Sequence, residues 1–68
     1  MTFSNHNVSG VLGHVLSVLA DAQVNVIDMV NRSRGDLAYN ILDVDSRPDD
    51  SVIAAIEKVE NVIRVRAI

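Results

Sequence analysis

The sequence predicts an α+β domain in which four antiparallel strands carry two helices on one face, and three observations lead there. Apolar residues recur at helical spacing in two segments, while four other segments are β-branched or alternating, in the order βαββαβ. Each strand-like run has one strongly apolar side only, so both helices are expected to cover the same face of the sheet. Two of the runs are joined by Ser33-Arg34-Gly35-Asp36, a turn whose glycine supplies a positive φ angle and makes a hairpin the natural connection.

Residues 1–5 are β-compatible, with Phe3 their only large apolar residue. From Gly10 to Gln23, Val11, Leu12, Val15, Leu16, Val18, Leu19 and Ala22 form a broad apolar face, with His14, Ser17 and Asp21 opposite. That is an amphipathic helix, capped by Ser9 or Asn7. Val24 to Arg32 is rich in Val and Ile, and Leu37 to Asp45 alternates Ala38, Asn40, Leu42 and Val44 against Tyr39, Ile41, Asp43 and Asp45. Both are expected strands and antiparallel neighbours. Pro48-Asp49-Asp50-Ser51 starts a second helix with acidic groups where its dipole favours them, and Val52, Ile53, Ala55, Ile56 and Val59 form its apolar stripe. Val62 to Ile68 turns Ile63, Val65 and Ala67 inward and Arg64 and Arg66 outward, as a half-buried strand.

This is the ferredoxin-like plan, whose usual strand order, four-one-three-two, leaves strands two and four at the edges. Strand two does not alternate cleanly: Val24, Val26, Asp28 and Val30 share one parity, Ile27 and Met29 the other. Either a bulge shifts its register or both its faces are partly covered. Tyr39 and Ile41 fall on the face that a lone monomer keeps polar. Together with the open edge of strand two they argue for self-association.

Composition narrows the function. The 68 residues, 49% hydrophobic but 3% aromatic, form one small aliphatic core of the kind that a second domain or subunit often completes. Met1 leads almost directly into one strand and Ile68 ends another, so residues 1–68 are expected to be a single domain excised from a longer chain. Cysteine is absent, which removes thiolate metal sites and cysteine nucleophiles and fits a cytoplasmic location. With a net charge of −3 and six scattered cationic residues, the chain lacks the basic footprint of a nucleic-acid binder. No apolar run approaches the roughly 20 residues of a membrane helix.

Specific chemistries fare no better. An RNA-binding sheet needs stacking aromatics on its central strands, where only Phe3 and Tyr39 are available. His6 and His14 stand in a loop and on a polar helix face and read as solvated rather than as metal ligands. The pairs Asp43/Asp45 and Asp49/Asp50 fit a strand face and a helix start, and no nucleophile has an evident base. Arg34-Gly35-Asp36 matches the tripeptide read by cell-adhesion receptors, but its place in the hairpin accounts for it.

What remains is a polar corner, Asn7-Val8-Ser9-Gly10-Val11-Leu12, opening the first helix, with Asn25 at the mouth of strand two. These residues resemble the Asn-x-Pro-Gly-Val-Leu loop and Val-Asn-Ile strand of the ACT domain, an amino-acid-sensing regulatory module. The resemblance is narrowest to the domain that ends bacterial D-3-phosphoglycerate dehydrogenases of the serine-feedback type. It spans essentially the whole chain, including Val62-Ile63-Arg64-Val65-Arg66-Ala67. The relatives often carry His at Asn5, Arg at Val8, Pro at Ser9 and Gly at Gln23.

The resemblance implies an L-serine or other small amino-acid ligand held by Asn5, Asn7, Ser9, Gly10, Val11 and Asn25. Backbone N–H groups around Ser9, Gly10 and Val11 would take its carboxylate, and the Asn7 and Asn25 amides its ammonium group or hydroxyl. It further implies a homodimer paired along strand two, with Asn7 of one subunit meeting the second subunit's Asn25. The domain itself would hold no cofactor and perform no catalysis; an attached catalytic domain would use NAD. An ACT-like module that only oligomerises, without a ligand, is the alternative.

Overall fold

A computed structural model describes residues 1–67 and shows the expected six elements. They are β1 (Thr2–His6), α1 (Val11–Asp21), β2 (Val26–Arg34), β3 (Leu37–Val44), α2 (Asp50–Glu57) and β4 (Val62–Arg66). The sheet order is β2-β3-β1-β4 and every neighbouring pair is antiparallel. Phe3 and Leu42 of the sheet, Val15 and Leu19 of α1 and Ile56 of α2 meet in one buried cluster, so both helices lie on the same face. Ile68, expected in the last strand, lies outside the described residues.

Strand two begins later than its composition suggests, for two local reasons. The Val24 N–H donates to the Leu19 carbonyl and so belongs to the close of α1. Asn25 donates its N–H to the Asp45 carboxylate at 3.0 Å and accepts from the Asp45 N–H, forming a clasp ahead of the ladder. At its far end β2 runs on to Arg34, directly opposite Leu37 across a two-residue turn with Gly35 at φ 60°. The uneven parity of β2 is a register shift between Val26 and Asp28, which turns Ile27 outward at 62% exposure.

The last strand departs from its expected facing. Ile63 is half exposed rather than inward, because β4 carries its own irregularity: Asn5 faces Val62 while Ser4 faces Arg64, leaving Ile63 unpaired between them. The extra residue inverts parity, so Val62 and Val65 both pack against the core although they are three apart. Alternation alone cannot reveal this bulge, because Ile63, Val65 and Ala67 alternate with Arg64 and Arg66 whether or not the register shifts at Ile63.

Gln23 takes a left-handed backbone conformation (φ 62°) just past the end of α1. This is the position that favours glycine, the residue that resembling sequences often have there.

Candidate functional site

The corner after β1 is held on two sides. The His6 N–H donates to the Asn61 carbonyl at 2.8 Å, ahead of β4. The Asn7 N–H donates to the Asp36 carbonyl at 2.6 Å and its side-chain Nδ2 to the Gly35 carbonyl at 3.2 Å, both in the β2–β3 hairpin. His6 Nδ1 and Asp36 Oδ2 lie 3.2 Å apart beside these bonds. With its Nδ2 engaged, Asn7 keeps Oδ1 as an acceptor at an exposed position.

The chain then reaches α1 through Gly10, the N-cap, at φ 91° and ψ −16°. Neither Ser9 nor Asn7 caps the helix, contrary to the sequence expectation: no side chain accepts from its first turn. The reason is geometric. A side-chain cap needs its residue in extended conformation at the N-cap, and here a left-handed glycine occupies that place while Asn7 is drawn to the hairpin. No acidic residue lies in the first turn. The positive end of the α1 dipole therefore has neither a side-chain cap nor an acidic group from its own first turn.

Asn5 has a different environment from the rest of the corner. It is only 5% exposed; its Nδ2 donates to the His6 carbonyl at 2.7 Å and its Oδ1 accepts from Asn40 Nδ2 at 2.9 Å. Asn40, 1% exposed, accepts in turn from Asn31 Nδ2 at 2.5 Å. Three amides thus bridge β2, β3 and β1 on the helix-covered side and end on the backbone of the corner. Asn5 has both amide functions committed, so it orients the corner rather than reaching past it. Asn31 and Asn40 were absent from the sequence-based site. The available signal was Asn40 on the same parity as Ala38 and Leu42, since a polar residue on a core face has to find hydrogen-bond partners.

Asn25 lies at the other end of α1, about 16 Å along the helix axis from Gly10 at 1.5 Å per residue. It borders a depression of about 430 Å³ lined by Leu16, Ala20, Gln23, Val24, Asn25 and Val26. The Asn25 side-chain amide makes no hydrogen bond among the described residues. Within one chain the structure brings Asn5, Asn7, Ser9, Gly10 and Val11 together and keeps Asn25 apart. Among the described residues no three His, Cys, Asp or Glu side chains converge on a metal site, and no helix is long and apolar enough to cross a membrane.

The family model of the ACT domain matches residues 1–61. This chain belongs to the ACT-domain family. Domains of this family are in general small-molecule-binding regulatory modules, with amino acids as common ligands, and they commonly oligomerise. Among solved structures the ACT domain is similar to protein BT0572 from Bacteroides thetaiotaomicron, at 21% identity and a TM-score of 0.69. The alignment covers 91% of this chain but 42% of that one, so the chain spans less than half of its relative's length, and the likeness concerns the fold. Among curated proteins none matches significantly. In this ACT domain, the corner with the uncapped start of α1 and the depression at Asn25 are two separate features of one chain.

Proposed function

We propose that this ACT domain binds a small amino acid, L-serine first, between two copies of itself, and thereby regulates an attached D-3-phosphoglycerate dehydrogenase that uses NAD. The observation that carries the binding reading is the uncapped start of α1 beside Asn7, whose Oδ1 is left as an acceptor. The first-turn N–H groups would take the ligand carboxylate, and Asn7 Oδ1 would accept from its ammonium group. Asn25 is too far away in the same chain to touch so small a ligand. If a two-fold pairing along the free β2 edge sets the corner of one copy against the depression of the other, the reverse contact follows, because residue i then meets j and j meets i. The seam would contain Val26 and the exposed Ile27. Only a ligand that prefers one arrangement of the dimer can shift the attached catalytic domain.

Calorimetric titration of the dimer with L-serine, and with glycine for comparison, tests this reading. Saturable heat is expected with L-serine. Asn7→Ala and Asn25→Ala should each weaken it by at least about tenfold, or about 1.4 kcal/mol, while sedimentation still shows a dimer. A dimer that takes up neither amino acid would leave the alternative function, oligomerisation alone. L-serine that binds without altering the activity of the longer protein would remove the regulatory part.

A further inference from the structure

The helix-free face of the sheet has a layout that the amino-acid site does not use. Leu37, Tyr39 and Ile41 run along β3 in its middle, joined by Val30 of β2 and by Ile63, which the β4 irregularity turns outward. These five are 41–53% exposed. Arginines flank the apolar strip on both sides, Arg32 and Arg34 on β2 and Arg64 and Arg66 on β4, so four of the chain's six cationic residues share this face. Opposing them are Asp28 and Asp43, paired at one end, and Asp36, which lies against His6 at the other. The helices and loops hold most of the acidic groups, with Arg47 and Lys58 as their only cations. Tyr39 divides the face into two clefts: about 490 Å³ beside Leu37, Ile63, Arg32 and Arg34, and about 230 Å³ beside Thr2, Arg64 and Arg66.

We propose that this face docks an amphipathic α-helix of another protein or domain, apolar toward β3 and acidic on both flanks. The dimensions agree. From β2 to β4 is about 14 Å at strand spacing, and a helix with its side chains is about 10–12 Å across, so its flanks fall over the two arginine rows. The strip from Leu37 to Ile41 is about 14 Å long and matches roughly nine helical residues. A second copy of this chain fits less well. Its helices expose no large apolar side chain, and its own open face would set arginines against arginines. A single-stranded nucleic acid would find the charge but only Tyr39 to stack on, since Phe3 is buried. The proposal does not depend on amino-acid binding.

The test uses Tyr39, the only tyrosine in a chain without tryptophan, as a fluorescent reporter at the centre of the face. The probe is a peptide of about 15 residues, long enough to hold a helix, with leucines on one face and glutamates flanking them, and no aromatic residue. Saturable change in Tyr39 emission is expected, weakening as salt rises. The Arg64→Glu/Arg66→Glu variant, altered only at exposed side chains, should bind about tenfold more weakly with unchanged thermal stability, and the Ile41→Asp variant should not bind. Four outcomes would each overturn the proposal: no response to the glutamate peptide; equal binding of a lysine-flanked version; tighter binding of a single-stranded oligonucleotide; or self-association in sedimentation that Ile41→Asp abolishes.

Discussion

Helix α2 begins at Asp49, whose carboxylate accepts from the Val52 N–H at 3.0 Å and from the Ser51 hydroxyl at 2.7 Å, with Asp50 adding negative charge to the first turn. Helix α1 begins at a left-handed glycine with no side-chain cap and no acid in its first turn. Both helices pack on the same sheet, yet one closes its N-terminus with its own side chains and the other leaves it to the surroundings. The closed end satisfies a donor of its own first turn within the chain. The open end forgoes a contribution of about 1 kcal/mol that a cap would make, and keeps the donors and positive potential that an anionic group can use. The difference teaches that α1 is held by its flanking corner, not by its cap: Asn7 is tied to the hairpin and His6 to the loop before β4.

The largest effect expected from breaking this contrast is at Gly10. A Cβ there would meet nothing within 4 Å, so a substitution acts through the backbone, at φ 91°. Gly10→Val should cost about 1–3 kcal/mol in urea unfolding, because β-branched residues tolerate a positive φ worst, and it should abolish L-serine binding. Wild-type affinity in a folded Gly10→Val chain would mean that the corner is not where the ligand lies. Asp49→Ala removes the side-chain cap of α2 and should lower the urea midpoint. Calorimetry on the same variant should give unchanged L-serine affinity, which separates the structural helix start from the binding one.

The contrast was half legible in the sequence. Pro48-Asp49-Asp50-Ser51 announces a cap, and the structure has Asp49 in that role. Asn7-Val8-Ser9-Gly10 announces one equally well, yet Asn7 bonds to Gly35, twenty-eight residues away in the chain, and a tertiary bond overrides the local preference. The sheet behaves similarly. Alternation in Leu37 to Val44 is clean and its faces were readable, whereas the β4 irregularity at Ile63 depends on how β1 pairs and leaves no local trace. Among the site residues, Asn7, Ser9, Gly10 and Val11 adjoin one another by chain continuity. The link from Asn5 to Asn40 and Asn31 crosses three strands, and only strand register reveals it.

Converting the open end into a closed one sharpens the comparison with a smaller change. Ser9→Asp adds a negative charge beside the α1 N-terminus and should raise stability by about 0.3–1 kcal/mol through the helix dipole. The same charge occupies the field offered to a ligand carboxylate, so L-serine affinity should fall as stability rises. Parallel denaturation and titration of this one variant check both signs. A gain in both would show that the dipole of α1 does not serve the ligand.

The smallest effect concerns pH and belongs to the closed end only. Hydrogen bonds from the Ser51 hydroxyl first, then from the Val52 N–H, hold the Asp49 carboxyl below its ordinary value of 3.8. A group whose pKa is lower folded than unfolded stabilises the fold while it is ionised. Its contribution is complete above the unfolded value and is lost as pH falls from about there through the folded value. Asp49→Asn keeps a capping oxygen but cannot titrate. Wild type and Asp49→Asn should therefore differ by a constant amount in urea unfolding near neutral pH, and that difference should shrink as pH drops below 3.8. A difference that stays constant through that acid range would show that the charge on Asp49 contributes nothing, and the contrast between the two helix starts would then reduce to hydrogen bonding.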